Sequence, residues 1–173
     1  MGVFLDIRGA FDNVNYDYIK QAMTRRGIDS STIQWYMNFL RVRQGCLTIK
    51  GLKLIRLLRR DFPQGGILSP FIWNIIFDEL IALFERTVVN CFAFADDLLL
   101  LMKGQNIAFM VKHLQKALDK AEAWAKAAGL QFCPVKTVAV VFTRQRKIPT
   151  PPLLRIGGRF ITYAQEAKYL GML

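Results

Sequence analysis

Val88-Val-Asn-Cys-Phe-Ala-Phe94 and Leu98-Leu-Leu-Leu-Met102 are two apolar runs joined by Ala95-Asp96-Asp97. Read as strand, turn and strand, they form a hairpin with two carboxylates at its tip. Adjacent anions between apolar strands repel each other and lose solvation, so something must compensate them. A bound divalent cation is the simplest compensation, because Mg²⁺ prefers carboxylate oxygens. A plain Asp-containing turn is the alternative, since Asp favours turns through local hydrogen bonds.

Outward from the hairpin, further punctuated segments follow in order. Gly2-Val3-Phe4-Leu5-Asp6-Ile7 is a second apolar run ending on a carboxylate, followed by Arg8-Gly9-Ala10-Phe11-Asp12. Phe62-Pro63-Gln64-Gly65-Gly66-Ile67-Leu68-Ser69-Pro70 opens a long apolar helix, and Gly129-Leu130-Gln131-Phe132-Cys133-Pro134-Val135-Lys136-Thr137 lies beyond the hairpin. Lys168-Tyr169-Leu170-Gly171 closes the chain.

This ordered set resembles the palm of reverse transcriptases, most closely those of non-LTR (LINE-type) retrotransposons. Asp-x-x-x-Ala-Phe-Asp, Gln-Gly-x-x-x-Ser-Pro and Phe-Ala-Asp-Asp carry the resemblance, which covers almost the whole chain. Group II intron and other bacterial-type reverse transcriptases share Phe-Ala-Asp-Asp and form the alternative within enzymes. The resemblance implies RNA-directed DNA polymerase activity with two Mg²⁺ ions, Mn²⁺ being able to substitute. Its implied partners are an RNA template, a DNA primer and dNTPs.

The resemblance also implies roles for individual residues. Asp6 and Asp96 are implied metal ligands converging from separate strands, with Asp97 acidic but less directly ligating and the Ile7 carbonyl assisting. Phe11 matches a steric gate beneath the sugar, although on the sequence alone a core position is the better explanation. Asp12 could cap the following helix. Gln64 and Gly65 match contacts to the incoming nucleotide and template. Lys136 matches a proposed general acid, a role that needs its pKa lowered. Lys168, Tyr169, Leu170 and Gly171 match the primer grip.

The chain departs from the family pattern at Asp61-Phe62, where members commonly have a Gly and where an extra anion could weaken phosphate binding. Cys133-Pro134 stands where Asn commonly precedes the lysine. Fingers, thumb and endonuclease segments are not recognisable. The expectation is therefore a palm fragment, exposing apolar faces and extending primers little or not at all by itself. An inactive, nucleic-acid-binding palm remnant is the competing reading from another class.

Composition sets the outer bounds. With 173 residues, 53% of them hydrophobic, a single domain spanning 1–173 is expected, with no repeat or linker. The net charge of +11 points to a polyanionic partner. From Arg41 to Arg60 the chain carries Arg41, Arg43, Lys50, Lys53, Arg56, Arg59 and Arg60 with no acidic residue between them. Arg144, Arg146, Lys147, Arg155 and Arg159 form a second basic stretch. Such clusters suit phosphate contact through counterion release.

Cys46, Cys91 and Cys133 lack metal-ligand spacing and read as buried thiols of a reducing compartment. His113 is the only histidine and reads as a surface residue. No signal peptide is evident, and Asp78 and Glu79 interrupt the apolar run 68–84, so no membrane partner is expected. The reading is intracellular, in cytoplasm and nucleus, and not secreted.

The expected fold is α+β, an antiparallel sheet with helices on one face. Helices are expected over Tyr16–Arg26, Thr32–Leu40, Ser69–Glu85 (Ser69 as N-cap, Pro70 first) and Gln105–Ala128. Strands are expected at Val3–Asp6, Val138–Phe142 and Tyr169–Met172. Hairpins are expected at Cys46–Lys50 with Lys53–Leu58, and at Leu153–Gly157 with Arg159–Tyr163.

Overall fold

The computed structural model describes residues 1–145 and 149–170. Arg146, Lys147 and Gly171, and the end of the strand expected at Tyr169–Met172, lie outside the described residues. In chain order the elements are β1 Gly2–Asp6, α1 Ala10–Asn13, α2 Tyr16–Arg25, α3 Ser30–Arg41, β2 Gln44–Ile49, β3 Leu52–Leu57 and α4 Leu68–Ala82. They continue with β4 Asn90–Phe94, β5 Asp97–Leu101, α5 Ile107–Ala128, β6 Val138–Val140, β7 Arg155–Ile156, β8 Arg159–Phe160 and β9 Thr162–Ala164. These pack as two compact units: residues 1–8 with 77–173, and residues 9–76.

The first unit is built on a five-stranded sheet ordered β4-β5-β1-β6-β9. β1 is antiparallel to both β5 and β6, and β4 is antiparallel to β5. The outermost pair, β6 with β9, is parallel, so the sheet is mixed rather than purely antiparallel. The segment read as one long hairpin explains this. β7 and β8 pair over two residues each, and the chain then leaves them to run as β9 beside β6. A parallel pair needs such a crossover, whereas a tight turn can join only antiparallel strands.

Side-chain alternation separates the two faces of the sheet. Val3, Leu5, Leu98 and Leu100 are buried on one, while Phe4, Asp6, Asp97 and Leu99 on the other are half-buried. α5 covers the apolar face with Met110, Leu114, Leu118, Ala121 and Trp124, each buried. Trp124 meets Phe77 edge-on at 5.7 Å. The helix begins at Asn106, whose side chain accepts from the Phe109 N–H, and ends at Gly129 in the left-handed region, φ 79°.

The second unit holds α1 to α3, the β2–β3 hairpin and the start of α4. Asn15 caps α2 and Asp29 caps α3 through side-chain oxygens. The hairpin turns at Lys50-Gly51, both with positive φ (49° and 85°), as a type I′ turn requires. Ser69 is not the N-cap expected from sequence. α4 already starts at Leu68, and the Ser69 hydroxyl instead donates to the Pro63 carbonyl at 2.8 Å. It closes the 63–69 loop rather than satisfying helix N–H groups. α4 also ends at Ala82, short of Glu85.

The cysteines are not buried as expected. Cys46 is exposed, and Cys91 and Cys133 are partly exposed. Cys46 lies on a hairpin that is exposed on both faces, and burial pushes the Cys91 thiol up to about 11. His113 is half-buried against the Phe109 ring at 4.3 Å. Among the described residues no helix is long and apolar enough to cross a membrane.

Candidate active site

Strand register places the carboxylates. β1 and β5 pair with Asp6 opposite Asp97, so these two side chains share the half-buried face. Asp96 stands one residue earlier, in the two-residue turn between Phe94 and Asp97. Sequence reading set Asp96 across from Asp6; in the structure Asp97 holds that position. Ala95 is forced to φ 53°, a left-handed conformation costly for a residue with a Cβ. Phe92 and Phe94 extend the same face outward from Asp97 and are exposed.

The third strand brings a cation. Ile7 pairs with Phe132, and Phe4 pairs with Val138, so residues 133–137 stand opposite only Leu5 and Asp6. The extra residues arch into a turn beside Asp6. The Cys133 N–H donates to the Asp6 carbonyl at 2.8 Å, and the Cys133 carbonyl accepts from the Thr137 hydroxyl at 2.9 Å. From this turn the Lys136 ammonium reaches both Asp6 oxygens, each at 3.2 Å. Arg8 N–H donates to the Gln131 carbonyl. In antiparallel pairing this leaves the Ile7 carbonyl facing the β5 side, not the β6 side.

The electrostatics follow from this crowding. Asp97 is pushed above the ordinary carboxylate range by partial burial first, then by the charges of Asp96 and Asp6, with Lys136 opposing. Lys136 is pushed up by its hydrogen bond to Asp6 and then by that residue's charge. The lowering that a general acid requires is therefore not present in this state. The Tyr169 ring meets Phe4 edge-on at 5.7 Å, and its hydroxyl is raised by burial, then by Asp97. Lys168 and Leu170 beside it are exposed.

Among the described residues, no three His, Cys, Asp or Glu side chains form a group able to hold a metal alone. That does not conflict with a Mg²⁺ site. Mg²⁺ is usually held by one or two carboxylates, with water and substrate phosphate completing its shell. An ammonium seated evenly between the Asp6 oxygens shows that a cation fits this position.

In the other unit, Phe11 is half-buried and packs on Trp73 at 5.2 Å and Phe62 at 6.1 Å. Gln64 is exposed and donates to Asp12 Oδ1 at 3.1 Å, so Asp12 holds Gln64 rather than capping a helix. Gly65 is exposed with φ 79° and open space around it. A Cβ on Gly66 would meet the Pro63 carbonyl and the Ser69 hydroxyl at 3.0 Å each. Asp61 is not a loose anion: Arg43 donates to its carboxylate and its carbonyl, each at 3.0 Å. Sequence reading missed this pair because its members are separated by eighteen positions and lie in different motifs.

Lys50, Lys53, Arg56 and Arg59 are exposed on and beside the β2–β3 hairpin, with Arg41 and Arg60 also exposed. An open cleft of about 290 Å³ at the hairpin base is lined by Asn15, Tyr16, Asp17, Arg41, Leu57, Leu58 and Arg59.

Over residues 1–173 the chain matches the family described as reverse transcriptase (RNA-dependent DNA polymerase). It is 29% identical over 99% of its length to a putative 115 kDa protein in the type-1 retrotransposable element R1DM of Drosophila melanogaster. It is 37% identical over 98% of its length to the Pol polyprotein of the type-1 element R2 of Popillia japonica, and 26% identical to the RNA-directed DNA polymerase of the mobile element jockey. The chain spans only 16%, 26% and 19% of these relatives, respectively. Its fold resembles apo telomerase from Candida tropicalis, with a TM-score of 0.62 at 15% identity over 79% of this chain and 30% of that one.

Proposed function

The chain belongs to the reverse transcriptase (RNA-dependent DNA polymerase) family, and we propose that it is a palm domain adding dNTPs to a DNA primer on an RNA template. One observation carries this reading: Asp6 and Asp97 face each other across adjacent strands with Asp96 in the turn beside them. Asp6 and Asp96 would hold two Mg²⁺ ions (or Mn²⁺), with Asp97 and the Ile7 carbonyl assisting. Bound there, the ions lower the pKa of the primer hydroxyl and neutralise charge on the leaving pyrophosphate.

The protein's own part is positional. Two strands hold carboxylates of distant sequence positions on one face, so little reorganisation is left for the reaction itself. Phe11, backed by Phe62 and Trp73, acts as the ring that excludes a ribose 2′-OH. Gln64 and Gly65 contact the incoming nucleotide, and Lys136 serves the pyrophosphate side. Lys168, Tyr169, Leu170 and Gly171 grip the primer end. The basic residues Arg41, Lys50, Lys53, Arg56, Arg59 and Arg60 bind nucleic-acid phosphates, whereas Arg43 is engaged with Asp61. Template and primer place this work inside the cell.

Primer extension is the test, in a polypeptide joining these 173 residues to the flanking segments its relatives carry. Asp96→Asn or Asp6→Asn should reduce dNTP incorporation on the order of a thousandfold, while RNA binding persists. Incorporation surviving both changes would falsify the assignment. RNA binding with no incorporation by any version would leave a nucleic-acid-binding domain of the same fold.

A further inference from the structure

We propose that Lys136 is a positioning residue that stands in for the divalent cation: it holds the Asp6 carboxylate until metal is taken up, and must then let go. The inference rests on reading Asp6 as a metal ligand. Three independent features of the geometry support it.

The first is symmetry. Lys136 Nζ lies 3.2 Å from each Asp6 oxygen, bridging both instead of resting on one. That is where a cation bound to this carboxylate would sit, and ammonium and metal cannot share it. The second is anchorage. The turn carrying Lys136 is tied to the Asp6 backbone through the Cys133 N–H, and it is closed internally by bonds from Lys136 and Thr137 to the Cys133 carbonyl. The lysine therefore stays within side-chain reach of Asp6 in either state. The third is ease of release. The Lys136 side chain is 66% exposed and Asp6 23%. An exposed pair dissociates at small cost because water takes up the ammonium, whereas a buried pair would resist metal entry.

Two consequences follow. Before metal arrives, Lys136 offsets the repulsion among carboxylates crowded at one strand end. After metal arrives, the released ammonium remains beside the site, free to meet an anionic oxygen of the substrate.

The experiment is Mn²⁺ binding to the metal-free 173-residue chain, read from the electron paramagnetic resonance of free Mn²⁺. Wild type, Lys136→Gln, Lys136→Arg and Asp6→Asn are compared at about 0.05 M and about 0.5 M KCl, conditions of weak and strong screening. Removing a competing surface ion pair should tighten Mn²⁺ binding in Lys136→Gln about threefold. Direct competition predicts that Lys136→Arg binds no tighter than wild type and that the ratio narrows at high salt, where an exposed ion pair is screened. Equal affinity of Lys136→Gln and wild type at low salt overturns the inference, as does tighter binding by Lys136→Arg, which keeps the charge. Loss of binding in Asp6→Asn preserves the metal-ligand reading even then. Absence of Mn²⁺ binding at Asp6 in every version overturns both.

Discussion

At the scale of single residues, charge compensation decides most of what matters. Asp97 is raised by burial and by two neighbouring carboxylates. A group bound more tightly to its proton in the folded state stabilises the fold below its unfolded value of 3.8. That contribution is lost as pH rises through the raised folded value. Asp97→Asn should therefore raise the melting temperature of the metal-free chain at pH 7. The advantage should shrink as pH falls through the carboxylate range. Melts of both proteins across that range check it, and a difference independent of pH would reject the crowding argument.

Asp61 illustrates compensation of another kind. It sits at φ 105°, where a side chain is strained, yet its carboxylate and carbonyl both bind Arg43. Arg43→Ala should destabilise by about 1 kcal/mol, the worth of a partly exposed pair. Asp61→Gly loses only the carboxylate bond, keeps the carbonyl one and relieves the backbone, so its stability should lie within about 1 kcal/mol of wild type. Denaturant midpoints of the two variants separate strain from charge.

At the scale of elements, local signals and tertiary context divide the work. The N-cap of α3 is local: the Ser31 hydroxyl and the Thr32 N–H donate to Asp29 and hold its carboxyl well below the usual range. A depressed carboxyl stabilises above its unfolded value of 3.8, and the effect is lost as pH falls below it. Asp29→Ala should lower the thermal midpoint at pH 7 and have progressively less effect in acid. Circular dichroism melts at several pH values measure this. α4 shows the opposite case. Its Ser-Pro start has capping chemistry, but the 63–69 loop needs a donor for the Pro63 carbonyl, and Ser69 supplies it from inside the helix. A hydrogen bond six residues back across the loop thus overrode the capping preference.

At the scale of the whole molecule, net charge governs the partner. A chain of +11 with an acid-free basic run from 41 to 60 should bind RNA with strong salt dependence. Replacing Lys53, Arg56 and Arg59 by Gln should weaken binding to single-stranded RNA across sequences. The slope of log affinity against log salt should fall by about 2 if all three meet phosphate. Filter binding over a salt series measures it, and an unchanged slope would place the phosphate contacts elsewhere.

Sequence alone determined the elements whose signals are short-range. The Phe94–Asp97 hairpin follows from its apolar flanks, and the amphipathic α5 from its apolar spacing and its glycine stop. The Lys50-Gly51 turn follows from glycine's tolerance of positive φ. Ordered motifs also pointed to Asp6 and the hairpin-tip carboxylates as one set. Tertiary structure alone decided how they meet. Register set Asp97 rather than Asp96 opposite Asp6, the crossover made β9 parallel to β6, and an excess of residues opposite Leu5 and Asp6 pushed Lys136 onto a carboxylate 130 positions away. These outcomes depend on which strands become neighbours. Propensity and periodicity act over a few residues and carry no information about pairing across a hundred.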